Sequence, residues 1–290
     1  DFAEELEDLI GFAQRRQLGP STASLVKAAE QRDIPWMRLN DYSLVQFGHG
    51  RFQKRIQATV TSETRHIAVE IASDKEETNQ ILADLGLPVP SQYLVRSASR
   101  AQRAARRLGF PVVVKPLDAN HGRGVSINLQ DQDAVAAAFE KAREHARVVV
   151  GEDFVDGVDR RMLVVDGELV AVAKRVPGHV VGDGERTIAA LVDEVNSDPR
   201  RGIGHEKVLT RIELDHQANR LMDLAGKSAE TVLAAGEVFY LRSTGNLSTG
   251  GTAVDMTDVV HPDNREMASR AAQAIGLDVA GIDFITTDIS

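Results

Sequence analysis

The chain has 290 residues, 42% of them apolar, 27% charged and 4% aromatic, with a formal net charge of -9. That composition excludes a disordered or fibrous protein and allows a sizeable buried core, and the acidic balance argues against nucleic acid as the primary partner, because such binding relies on Lys and Arg neutralising phosphates. Zero cysteines exclude disulfide and thiolate chemistry, no apolar run approaches the ~20 residues of a membrane span, and the acidic start Asp1-Phe2-Ala3-Glu4-Glu5 is the reverse of a secretory leader, so a cytoplasmic protein without membrane contact is expected.

Residues 1–32 read as two helices, the first with Leu6, Leu9, Ile10 and Ala13 on one face, the second capped by Ser21 or Thr22. Short strands are expected over 34–39 and 42–47, with Gly48 and Gly50 turning the chain, and a boundary falls near residues 60–73. Asp74-Lys75 then opens a helix that stops at Gly86 before Pro88 and Pro90. Ser99 with Gln102 three residues on forms a capping box for a helix over 100–108, whose Arg103, Arg106 and Arg107 make a solvated face. Strands ending at Lys115, starting at Val125 and spanning 148–152 surround a helix capped by Asp131 or Asp133. Asp166-Gly167 between two apolar runs is a hairpin signal. Residues 177–240 are polar and glycine-punctuated, a lid-like insertion or an ordinary structural one. An amphipathic helix over 264–275 ends at Gly276, and a buried-looking strand over 279–285 carries a single carboxylate, Asp283. The chain begins without methionine and reads as a piece of something longer.

The stretch richest in chemistry is Pro111-Val112-Val113-Val114-Lys115-Pro116 followed by Asn120-His121-Gly122-Arg123-Gly124. A cation at a strand end beside a glycine loop suits a polyphosphate: Gly122 and Gly124 let main-chain N–H groups approach, and Lys115 supplies a compact charge. His121 and Arg123 sit in the same loop, and His121 suits a phosphate or a substrate carboxylate. It is no Walker loop, and Gly226-Lys227-Ser228, the nearest imitation, has Leu221 where the first glycine belongs. Arg161, Lys174 and Arg175 alternate with apolar residues on the next hairpin, and spacing alone does not choose which of them meets an anion. The loop from Leu241 to Ala253, with Arg242, Asn246, Ser248, Thr249 and Gly250, combines a cation, hydroxyls and three glycines, a combination able to wrap a carboxylate or phosphate.

From about residue 74 to the end, these elements together resemble the ATP-grasp family. The resemblance implies an α+β fold of two modules clamping ATP between antiparallel sheets. It places Lys75 and Lys115 on the α and β phosphates, and Glu152, Phe154, Val155 and Asp159 around adenine and ribose. It makes Asp283 a magnesium-binding carboxylate. The segment Asn246-Leu247-Ser248-Thr249-Gly250-Gly251-Thr252-Ala253, the Gly182-Asp183-Gly184 region, Ile34-Pro35-Trp36-Met37-Arg38-Leu39 and Lys54-Arg55-Ile56-Gln57-Ala58-Thr59 resemble, more narrowly, the cyanophycin synthetase family.

That narrower resemblance implies part of a small α/β N-terminal accessory or primer-binding domain over 1–65, a first ATP-grasp module over 66–150 and a second over 151–290. It also implies addition of aspartate to a poly-aspartate (β-Asp-Arg) primer through an acyl phosphate, with ATP and Mg2+, in a homo-oligomer; a Mur-ligase-like, arginine-adding part is absent from this sequence. His121, Arg161, Lys174 and Arg175 are then the catalytic candidates and the 242–250 loop the substrate-binding one. One departure stands out: the family's metal site adds Glu-x-Asn from a following strand, and the sequence stops at Ser290 before one. Residues 1–290 alone are therefore expected to bind magnesium-ATP weakly and turn over little. The alternatives are another ATP-grasp peptide ligase, glutathione-synthetase-like or D-alanine-ligase-like, and a non-catalytic nucleotide-binding assembly module.

Overall fold

The computed structural model describes residues 2–117, 124–204 and 207–290. They divide into two compact units, one made of residues 1–69 with 159–283 and the other of 70–158 with 284–290.

The second of these is built on an antiparallel sheet in the order Gln92–Val95, Val149–Asp153, Val112–Pro116, Ser126–Leu129. Alternation along Val112–Pro116 sends Val112 and Val114 to one face, where helices Ala98–Leu108 and Gln132–Arg143 bury them with Val149, Ala104, Ala138 and Phe139. The first helix is capped by Ser97, which accepts from Arg100 N at 3.3 Å, so the expected Ser99–Gln102 box does not form. The turn begins two residues earlier than that box requires, and Gln102 Nε2 instead donates to Gln132 O at 3.0 Å, joining the two helices. Asp131 caps the other helix through Ala134 N. Asp74 caps Lys75–Asp84 by accepting from Glu76 N and Glu77 N.

In the other unit, helix Pro20–Glu30 covers the meander Trp36–Arg38, Leu44–Phe47, Lys54–Gln57, Val60–Thr61, with Val26, Val45 and Ile56 as its small core. Its N-cap is Gly19 without a side-chain bond, not Ser21 or Thr22: Pro20 opens the helix and needs no partner for a missing N–H. In helix Phe2–Arg16 the expected apolar face, Leu6, Leu9 and Ile10, stays exposed. A four-stranded sheet follows in the order Thr252–Asp255, Glu168–Val176, Val158–Val165, Val279–Thr286. Its central hairpin turns at Asp166 and Gly167, both with positive φ (51 and 79), the twist that lets a two-residue loop join right-handed strands. Helix Pro262–Ile275 buries Ala268, Ala271, Ala272 and Ile275, and Arg265 Nη1 donates to Leu169 O at 2.9 Å.

Two sequence expectations fail here. The strand Val279–Thr286 is not buried; it alternates, and only Ala280 is fully covered. Residues 177–240 are not merely polar, because Val180, Ile188, Leu191, Val192, Met222 and Leu233 form a core of their own. The helices the sequence places around 189–195 and 216–222 form as Ile188–Asn196 and His216–Leu224, but each is short, and the core they share with strand and turn residues is not evident from either alone.

Candidate active site

Within the 70–158 unit, the face of the sheet opposite the helices carries Lys115. Val113 lies across from Glu152, so Lys115 and Glu152 are diagonal neighbours on that face, and Lys115 Nζ meets Glu152 Oε2 at 2.6 Å. Their side chains keep 31% and 13% of their exposure, which leaves the ammonium partly open to an anion while Glu152 aims it. Lys75 is exposed at the first position of its helix. Gly124 has φ +70, and a Cβ there would lie 2.6 Å from His145 Cδ2 and 2.9 Å from Pro116 Cγ, so the chain passes flush against the end of the Lys115 strand only as glycine. Phe154 N donates to Pro111 O at 3.2 Å and its ring is half-buried, while Val155 is 40% exposed. His121, Gly122 and Arg123 lie outside the described residues.

Within the other unit, cross-strand register sorts the hairpin cations. Ala173 faces Arg161 and Lys174 faces Arg160, so Arg161, Arg175 and Asp159 share one face while Lys174 lies on the opposite one with Met162 and Val172. The structure therefore does not bring Lys174 to the other three. Arg161 Nη1 and Arg175 Nη2 both donate to Asp283 Oδ1 at 2.7 Å, and Arg175 Nη2 also donates to Asp159 Oδ1 at 2.9 Å. Burial would lower the Arg175 pKa, but the bonds and charges from Asp159 and Asp283 outweigh it and hold the group above its ordinary value.

Two glycines absent from the sequence-based assignment make this cluster possible. A Cβ on Gly281 would overlap the Arg161 guanidinium, which therefore lies across strand Val279–Thr286 to reach Asp283 two residues on. A Cβ on Gly245 would lie 2.7 Å from Arg175 Cβ, so the 241–253 loop rests directly on that strand. A glycine inside a strand two residues from a carboxylate was the available signal for Gly281.

The 241–253 loop corrects one expectation. Arg242 was expected among the substrate-binding residues, yet it is only 4% exposed and its donors are spent within the unit. It donates to Thr249 O, Leu241 O, Glu213 O and both oxygens of Asp215, at 3.0–3.2 Å. Five N–H groups meet five acceptors, so Arg242 shapes the loop instead of reaching out of it. Asn246 O anchors the turn by accepting from Thr249 N and Gly251 N, and the Thr249 hydroxyl donates to it too. Ser248 is exposed. Gly250 adopts φ +93 against Ile212.

The donor set does not complete a magnesium site. Among the described residues no three His, Cys, Asp or Glu side chains come together for a metal, and Asp283 shares its oxygen with two guanidiniums. An ion that favours six oxygen ligands gains one carboxylate here.

Comparison with known proteins places these features. A family profile described as ATP-grasp domain matches residues 69–177. The cyanophycin synthetase of Trichormus variabilis is 48% identical over 291 residues, covering all of this chain and 32% of that protein. The glutathione biosynthesis bifunctional protein GshAB of Clostridium perfringens is 32% identical over 299 residues, covering all of this chain and 37% of its own length. A crystal structure of a bifunctional glutathione synthetase from Pasteurella multocida superposes with a TM-score of 0.74 at 29% identity, over 94% of this chain and 38% of that one. The chain spans about a third of the curated relatives it matches. It has the ATP-grasp fold, in a segment similar from end to end to cyanophycin synthetase.

Proposed function

We propose that this chain carries the ATP-using step of a carboxylate–amine ligase that extends the poly-aspartate backbone of cyanophycin. The observation that carries the proposal is the Arg161–Arg175–Asp283 cluster on one sheet face of a chain 48% identical throughout to a cyanophycin synthetase. In the proposed reaction a terminal carboxylate oxygen of the primer attacks the γ-phosphorus of ATP and ADP leaves. The amine of aspartate then attacks the acyl carbon, loses a proton, and phosphate departs with one former carboxylate oxygen. Charge accumulates on the transferring group, and fixed guanidiniums stabilise it without reorganising at the moment of reaction.

Arg161 and Arg175 are assigned to that charge, and Lys115 and Lys75 to the α and β phosphates. Glu152 orients Lys115, with Phe154, Val155 and Asp159 proposed around the nucleoside. Asn246, Ser248, Thr249 and Gly250 are proposed to receive the primer carboxylate, on a loop held by Arg242. His121 and the glycine loop keep their proposed phosphate or carboxylate role. Lys174 is left without one, because it lies on the other face. Magnesium remains an expectation with Asp283 its one proposed ligand, and no step here runs through it. The cytoplasmic setting and homo-oligomeric state belong to the same proposal.

A second reading, a glutathione-type peptide ligase, rests on the 0.74 TM-score match to a bifunctional glutathione synthetase. Phosphate release by the full-length protein separates the two. Dependence on both aspartate and a β-Asp-Arg primer is expected, and release driven by glycine or cysteine instead would retain the fold and reject the named substrate.

A further inference from the structure

We propose a second small-molecule site, built into residues 177–252, that binds a free α-amino acid through its carboxylate. It stands independently of the ligase reading. A cavity of about 260 Å³ lies between strand His179–Val181, helix Ile188–Asn196 and the loop residues Gly250 and Thr252. Leu191 and Val195, one helical turn apart, give it an apolar wall, with Val181 opposite.

Its polar end is Arg201, which is 5% exposed. Arg201 Nη1 donates to Thr210 O at 2.6 Å and Gly250 O at 3.0 Å. Nε and Nη2 have no hydrogen bond to a described residue, and no carboxylate among the described residues forms an ion pair with this guanidinium. A buried arginine stays charged, so two unspent N–H directions in a cavity form a fork suited to a carboxylate. Burial pulls this group's pKa down and outweighs the nearby Asp198 carboxylate, which acts to raise it.

The cavity also offers an acceptor for a cation. Glu194 pairs with Arg186 through Oε2 at 2.9 Å and has a second oxygen to offer. His179 Nδ1 donates to Pro177 O at 2.9 Å, which leaves Nε2 an acceptor on the neutral ring. A carboxylate at Arg201, an ammonium at Glu194 and a short apolar body against Leu191 and Val195 describe an α-amino acid, which the volume accommodates. Because the same Arg201 nitrogen holds Gly250 O, an occupant would bear on the loop proposed to receive the primer.

Calorimetric titration of the purified chain tests this, using L-leucine and L-valine against isopentylamine and isobutylamine, their counterparts without the carboxylate, and glycyl-leucine as a peptide end. The two amino acids are expected to saturate one site, with the amines weaker by at least ~tenfold, the worth of one charge-assisted bond. Val181→Trp, at a half-exposed position, is expected to abolish binding by filling the cavity without unfolding the chain, and Arg201→Lys and Glu194→Gln to weaken it. Arg161→Ala should leave it intact. Absence of amino-acid binding, equal binding of the amines, binding of glycyl-leucine alone, survival in Val181→Trp, or loss in Arg161→Ala would each overturn the proposal.

Discussion

Asp283 meets two guanidiniums at once, and that geometry depends on a residue with no side chain. Gly281 leaves the space across which Arg161 reaches the carboxylate. Gly281→Ala suits an exposed strand backbone better than glycine does, so stability should hold or rise slightly. The added Cβ must displace the guanidinium, and on the role proposed for Arg161 the phosphate release of the full-length protein should fall ~tenfold or more, the loss of one charged contact. Steady-state phosphate release together with a melting curve checks both parts, and an unchanged kcat would mean that Arg161 need not lie over Gly281. Lys115 teaches a related lesson. Its position at a strand end was readable, but its partner Glu152 is 37 residues away and appears only when the register of two strands is known.

At the scale of elements, Thr61 and Thr64 tie the N-terminal meander to the root of the Asp283 strand. Thr64 Oγ1 donates to Asp278 Oδ1 at 2.6 Å and Thr61 Oγ1 donates to Oδ2. Burial alone would raise the Asp278 pKa, but the two hydroxyls together with the backbone N–H groups of Asp278 and Val279 outweigh it and lower the group from its ordinary value. A carboxyl depressed on folding contributes stability above its unfolded pKa and loses it as pH falls through the folded one. Stability of the wild-type chain should therefore drop as pH falls below about 4, the ordinary aspartate value. Asp278→Asn should cost ~1–3 kcal/mol near neutral pH and flatten that acid limb, as urea melts across pH would record.

Gly250 is the hinge of the Ser248 loop: with φ +93 and a Cβ that would sit 2.8 Å from Ile212 Cγ1, Gly250→Ala should cost ~1–3 kcal/mol in the same assay. Most helices and strands were legible in the sequence because their caps and periods are local, as at Asp74, Asp131 and Asp166-Gly167. The Ser99 box failed because two serines competed for one cap, and the core of residues 177–240 was missed because its apolar residues are scattered among turns.

For the whole molecule, the ATP-grasp fold was legible, since strand-end lysine, glycine loop, hairpin and final carboxylate strand follow one another in a particular order. The side-chain constellation was legible only in part. Arg161 and Asp283 are 122 residues apart, and nothing local says that they touch or that Lys174 turns away. Arg242 looked like a ligand for anions because it is a cation among glycines, and only burial reveals that carbonyls and Asp215 consume its donors. In the proposed reaction a carboxylate is activated by phosphoryl transfer before an amine displaces phosphate. The most direct measurement supplies the full-length protein with ATP, aspartate and a primer whose terminal carboxylate carries a heavy oxygen isotope, and then weighs the phosphate released. One labelled oxygen per phosphate is the result predicted here, and unlabelled phosphate, which would mean that water attacked ATP, would contradict it.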